Sequence, residues 1–452
     1  MTLNSTRVHP GVRAGVETVM IPSRAGTERD RAVDLMRALC LISVVGLHAL
    51  MVGVSTPAGA PRFENALEGW DGFTVFSWFT QMMPLFFILG GFASAQHYRR
   101  LRDLGVSPAG YVAARLARLL PIPLAAAVAT LLALSALTLA DGGMGLALIA
   151  GWRISQPLWF LGVYLLCAAL VPAMLHLHEL APRASLIGLG LGVGAIDALR
   201  LLSGVEGIGF ANLAFVWLFI QQLGFWMADR RVLRIRTAGL VGCALLLGTL
   251  FGLWPTNLFA ALNPPSAVLA LLGIVQFTVF GALRPRLALW ADRPGLRRVS
   301  DALNARALTI YSWHMLAIVL LTGALLVAGT RLPAPLTAEW WLSRPPWLAA
   351  VGLSVAFTVA VAGRLERRPN GASRVRSVPS GSISAARVVT GTLSGCGGVL
   401  VVLAANGTIW SWLLGATLLG CGVRAVRGRG RGLRRPWRTS VQNAKATPSS
   451  TP

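Results

Sequence analysis

Long apolar runs separated by short polar loops fill most of the chain. The first, Val33 to Val54, is long enough to span a bilayer and has too few polar side chains for a soluble helix. Further runs lie at about 72–96, 121–140, 158–178, 184–202, 209–228, 237–255, 266–283, 308–330 and 346–363, and two shorter ones at about 388–405 and 409–424. Such a pattern predicts an all-α polytopic transmembrane bundle of about ten core spans. A C-terminal hairpin of two shorter spans, turning at Asn406-Gly407, completes it.

The loops give the bundle a direction. With twelve spans both termini lie on one side, and every arginine-rich loop falls on that side, which the positive-inside bias makes cytoplasmic. The loop Ser55 to Trp70 carries Glu64 and Glu68 against Arg62 alone, as an outside loop does. The expected organisation is a disordered cytoplasmic leader (1–30), a ten-span membrane domain (31–363), a polar cytoplasmic linker (364–387), the hairpin (388–424) and a basic disordered tail (425–452). Residues 1–30 lack an apolar core, so the first span is expected to act as the insertion signal in the plasma membrane.

Composition agrees with the pattern. Of 452 residues, 55% are hydrophobic and 13% charged, where a soluble domain carries about a quarter charged residues. The net charge of +24 resides in loop arginines, so it reads as anchoring to anionic lipid and no nucleic-acid partner is expected. The five cysteines fall in or beside apolar runs without close pairing and read as small buried hydrophobes. No zinc motif, nucleophile elbow or phosphate-cradling loop is present, so no metal or cofactor is expected.

Candidate chemistry sits in the first span. Arg37 and His48 are eleven positions apart, which at about 100° per residue is three turns plus about 20°, so both project from one helix face about 16 Å apart. Ionisable groups at membrane depth are costly and mark functional sites. The alternative is that Arg37 snorkels to the headgroups and His48 supports a helix contact.

The segment Arg29-Asp30-Arg31-Ala32-Val33-Asp34-Leu35-Met36-Arg37, running on to His48, resembles the opening of the membrane-bound acyltransferase-3 family, which has an Asp-x-x-Arg group followed eleven residues later by a histidine. Four later segments resemble that family in order. They are Leu85 to Phe92 (with Gly90 where a serine is usual), Arg115-x-x-Arg118 before Pro121, Leu158 to Leu161, and Tyr311 to His314. The resemblance covers residues 30 to 363. It implies transfer of an acyl group, acetyl foremost, from cytoplasmic acyl-CoA to a hydroxyl of a carbohydrate, cell-envelope or secondary-metabolite acceptor.

An imidazole titrates near neutral pH and serves as a base or a transient acyl carrier, which points to His48. Arg37 would hold the donor, and Asp34, three residues earlier, would orient it by a same-face ion pair. Arg115 and Arg118 share a helix face and suit donor phosphates, or equally positive-inside anchoring. His314 either helps place the donor or bonds a neighbouring helix. Trp159 and Phe87 are candidates for the acceptor side, Trp159 equally for an interfacial anchor. Asn212 would face the acceptor or make a buried interhelix bond. Gly90-Gly91 should pack tightly on the first span, and Pro84 should kink the second. Asp197 and Arg200, three apart, share a helix face where they would pair or line the cavity. His176 and His178 point about 200° apart on a helix, a poor metal pair, and read as headgroup-level residues. A transporter or flippase of a lipid-linked or small polar substrate is the rival reading of intramembrane charge.

Overall fold

The computed structural model describes residues 30–55, 62–141, 145–366 and 383–427. The leader before residue 30, most of the linker and the tail beyond 427 lie outside the described residues. The described elements are α1 (Arg31–Met51), β1 (Val52–Ser55), β2 (Arg62–Asn65), α2 (Phe73–Thr80), α3 (Met83–Asp103), α4 (Pro108–Leu119), α5 (Pro121–Asp141), α6 (Gly145–Ser155), α7 (Leu158–Leu180) and α8 (Pro182–Ser203). They continue with α9 (Asn212–Ala228), α10 (Ile235–Leu250), α11 (Ala267–Ala291), α12 (Pro294–Ala305), α13 (Ala307–Val327), α14 (Ala338–Glu366), α15 (Ala385–Ala404) and α16 (Ile409–Arg427).

Among the described residues, eleven helical stretches are long and apolar enough to cross a membrane. The run expected to span 237–255 forms only the shorter α10. Gly252 turns the chain at φ +68°, and Trp254 folds back against Gly248 and donates to Thr249 Oγ1 at 3.0 Å. The end of the first run also leaves the helix. Val52 to Ser55 pair antiparallel with Arg62 to Asn65 in a short ribbon that the helical pattern did not signal.

Local chemistry explains the helix boundaries. Asp30 caps α1, its carboxylate accepting from Val33 N at 3.1 Å, and Ser107 caps α4 through Gly110 N at 3.1 Å. Pro84 does not kink a continuous span. The helix breaks at Gln81–Met82 and restarts with the proline in its first turn, where the missing N–H costs nothing. Gln276 of α11 satisfies the break, donating to Gln81 O at 2.7 Å and accepting from Leu85 N at 2.8 Å.

The small residues of α3 act against a different neighbour from the one expected. Gly91 packs on α9, where an added Cβ would meet Gln221 O at 2.5 Å, and Gly224 approaches the α3 backbone as closely from the other side. Gly90 faces Tyr164, not α1. The spacing of glycines announces a close crossing but not its partner.

α15 and α16 pack along one another, α15 against α7 and α16 against α5. Asn406 and Gly407 turn between them with positive φ, and Gly407 rests directly on the backbone of Gly151 in α6.

Ion pairs tie the helix ends together. Arg31 pairs with Asp301 at 3.4 Å, Arg284 with Asp30, Arg99 with Asp229 at 2.8 Å, and Arg102 with Glu179 at 2.6 Å. His176 is exposed, but His178 is buried inside the protein. Its ring lies 2.9 Å from both Gln222 Oε1 and Asp229 Oδ2. Asp197 and Arg200 do not pair. The carboxylate accepts from Asn212 Nδ2 at 2.9 Å and Ala267 N at 2.7 Å, and Arg200 turns toward Glu206.

Burial alone would raise the Asp229 carboxyl, but hydrogen bonds from His178 and Arg99 overcome it and hold the group below the usual carboxylate range. A depressed folded-state value stabilises the fold above the unfolded-state value near 4, and the contribution is lost as pH falls through the folded value. Asp229→Asn should therefore cost about 2 kcal/mol at neutral pH. Thermal melts in detergent should show the gap to the wild type closing in acid; a gap constant with pH would remove the linkage.

Candidate active site

A cavity of about 590 Å³ opens between α1, α3, α4, α7, α12 and α13. Its two ends differ because the helices that enclose it carry different residues along their lengths. Toward the start of α1 the wall is polar: Asp34 and Arg37, His97 of α3, Arg115 and Arg118 of α4, and Asn304 of α12. Two turns further along α1, at Val44, the wall is apolar and aromatic, built from Phe86, Phe160, Leu161 and Tyr311.

Arg115 is the pivot of the basic end. Its Nη2 donates to the Tyr164 hydroxyl at 3.0 Å, while its Nε is buried and has no hydrogen-bond partner among the described residues. Arg37 and Arg118 lie within electrostatic range of the same phenol, so three guanidiniums converge on one side chain. Asp34 is buried on the wall one turn from Arg37, and Asn304 fixes its backbone by donating to Asp34 O at 2.7 Å. Arg118 is exposed at the rim.

One turn beyond the inner end, α1 and α13 bring two imidazoles together. His48 Nδ1 lies 3.3 Å from His314 Nε2, with ring centroids 5.1 Å apart. His314 is fully buried, and its Nδ1 lies 2.7 Å from the carbonyl of Tyr311. That carbonyl only accepts, so His314 Nδ1 carries a proton. In the neutral pair His314 Nε2 is then the lone pair that accepts from His48 Nδ1, and His48 is left with its Nε2 lone pair to act as a base. The order of roles is that of a base oriented by a third group, with His314 as the orienter. Trp347 of α14 donates to Ala49 O at 2.9 Å and fixes the backbone beside His48.

The expected site residues separate into two groups. Arg37, Asp34, Arg115 and Arg118 share the cavity, and His48 and His314 form the pair above it. Phe87 and Trp159 lie behind the wall, each packed on Trp217 (centroids 4.6 and 5.5 Å), and do not line the cavity. Asn212 is fully buried between α8 and α9, bonded to Asp197, and is not brought to the site. Phe86, Phe160 and Tyr311 also line the cavity, each from a segment that resembles the family but with no role expected of it, and with them stand His97, Tyr164 and Asn304. Tyr164 and Tyr311 carried a signal, phenols inside apolar spans that need hydrogen-bond partners.

Tyr311 fixes the wall between the cavity and its surroundings, its hydroxyl donating to Pro157 O at 2.5 Å. Among the described residues no cluster of three or more His, Cys, Asp or Glu is placed to hold a metal ion.

A family model described as an acyltransferase domain, that of acyltransferase family 3, matches residues 30–363. No curated protein and no solved structure matches the chain.

Proposed function

Since the chain belongs to the acyltransferase-3 family and is a multi-pass membrane transferase of acyl groups, we propose that it moves an acyl group from cytoplasmic acyl-CoA to a hydroxyl of a carbohydrate, cell-envelope or secondary-metabolite acceptor. The carrying observation is the imidazole pair placed one turn beyond a cavity whose opposite end gathers three guanidiniums. In this reading the arginine-rich helix ends face the cytoplasm, which puts the basic end of the cavity toward the cytoplasm.

The donor enters with its phosphates among Arg37, Arg115 and Arg118. The unpartnered Nε of Arg115 supports this, because a buried N–H with no acceptor in the protein is an unmet demand that a phosphate oxygen would meet. Asp34 orients Arg37. The thioester carbonyl then reaches the aromatic inner end, near the histidines.

His48 Nε2 takes the proton of the acceptor hydroxyl as its oxygen attacks the thioester carbon. The C–S bond breaks, the electron pair leaves on the CoA sulfur, and the imidazolium returns its proton to that thiolate. An ester and free CoA result. Throughout, His48 Nδ1–H stays directed at His314 Nε2, and the 3.3 Å separation shortens as charge develops on the imidazolium.

The test uses membranes containing the protein and acyl-CoA labelled in the acyl group. Label should enter an envelope or extractable fraction, with CoA thiol released in equal amount. Movement of an unacylated substrate across the membrane with no acyl-CoA consumed would replace this reading with that of a transporter.

A further inference from the structure

Beside the donor cavity lies a second, smaller space, and part of its wall comes from a segment of the chain that the family match does not reach. It is apolar and holds about 30 Å³ of free volume between α5, α7, α13, α15 and α16. The hairpin α15–α16 supplies Gly398, Val402, Trp412 and Leu419, all outside residues 30–363. Tyr311 and Leu161 line this slot and also line the donor cavity, so the two spaces share a wall. Met315, the neighbour of His314, faces the slot as well.

The form of the slot follows from small residues. Ala126 and Ala127 of α5 leave room on one side. On the other, Gly398 and Gly415 let α15 and α16 touch, since a Cβ on Gly398 would meet Gly415 O at 2.8 Å. The seating of Gly407 on Gly151 fixes the hairpin against α6, so the wall is rigidly placed.

We infer that this slot receives the acyl tail of the donor, and that the C-terminal hairpin sets which acyl chains the protein accepts. The inference rests on the donor cavity proposed above. A tail attached to a thioester near the histidines meets Tyr311 and Leu161 first, and its entry to the apolar space beyond them requires these two side chains to part. The free volume is room for about two methylene-sized groups, which selects short acyl chains of about four carbons or fewer. Each methylene that fits should tighten binding about fourfold, and each that does not should be rejected.

The experiment is competition for binding to the purified full-length protein in detergent, with labelled acetyl-CoA displaced by CoA and by acyl-CoAs of two, four, eight and sixteen carbons. The wild type should bind the four-carbon donor about fifteenfold more tightly than acetyl-CoA and lose affinity at eight. Trp412→Ala, which opens the slot, should move the optimum to longer chains. Ala127→Leu, which fills it, should abolish the gain at four carbons, so that the four-carbon donor binds no more tightly than acetyl-CoA. Leu419→Ala opens the same wall by a smaller change and should shift the profile in the same direction even where Trp412→Ala unfolds. An unchanged chain-length profile in all three variants, or equal binding of every length by the wild type, overturns the slot and leaves the donor cavity intact. Failure of CoA itself and of every acyl-CoA to bind overturns the donor cavity and the slot with it.

Discussion

His48→Ala is expected to lower acyl transfer about a thousandfold while the affinity for acyl-CoA stays within a few-fold of the wild type. His48 is the member of the imidazole pair whose Nε2 is left as a lone pair, because the Tyr311 carbonyl fixes the protonation of His314 and His314 in turn takes the His48 Nδ1–H. Removing His48 leaves His314 buried with one nitrogen unpartnered, which costs about 1–3 kcal/mol of stability and must be separated from loss of catalysis. His48→Gln does this. An amide can still contact His314 and keep the fold, but it takes no proton, so it should be as inactive as alanine. A folded glutamine variant with wild-type turnover would exclude His48 as the base.

Arg115→Ala should raise the KM for acyl-CoA about 10- to 100-fold and change kcat little, the loss expected when a hydrogen bond from a buried charged group is removed from donor binding. Arg115 of α4 differs from the basic residues of the loops in that its Nε is buried with no partner among the described residues and its Nη2 is committed to Tyr164. Arg115→Lys should not restore the KM, because an ammonium cannot donate to the phenol and to a phosphate from a planar fork. Arg118, exposed at the rim, should show a smaller effect that salt screens. Equal losses at Arg115 and at the exposed Arg100 would mean that the basic residues act only as a general field.

The sequence carried one half of the site clearly. Arg37 and His48 stand on one helix, so their shared face follows from a period of 3.6 residues with no knowledge of the fold. The contact of His48 with His314 joins positions 266 residues apart and depends on how α13 docks on α1, which no local period encodes. Likewise Gly91 announced a close approach, but its partner proved to be α9 at Gln221, because small residues say that a backbone comes near and not whose.

Asn212 shows the opposite limit. A polar residue in an apolar span satisfies itself either on a ligand or on another helix, and here Asp197 takes the bond. The shortness of α10 was hidden for a similar reason. Hydropathy continues to residue 255, while the helix is ended by Gly252 and by Trp254 returning to Gly248. The apolar pattern records which segments leave water; the turns within it depend on single residues.

The central claim is that His48 and His314 act as one unit. The most direct measurement compares acyl-transfer rates of purified wild type, His48→Ala, His314→Phe and the double variant, with labelled acyl-CoA as donor. If the pair is a unit, His314→Phe slows the wild type by at least about tenfold and does nothing further once His48 is gone. Full activity in His314→Phe, or the same fold loss in both backgrounds, would show that the two rings work independently and that the contact between them has no part in the reaction.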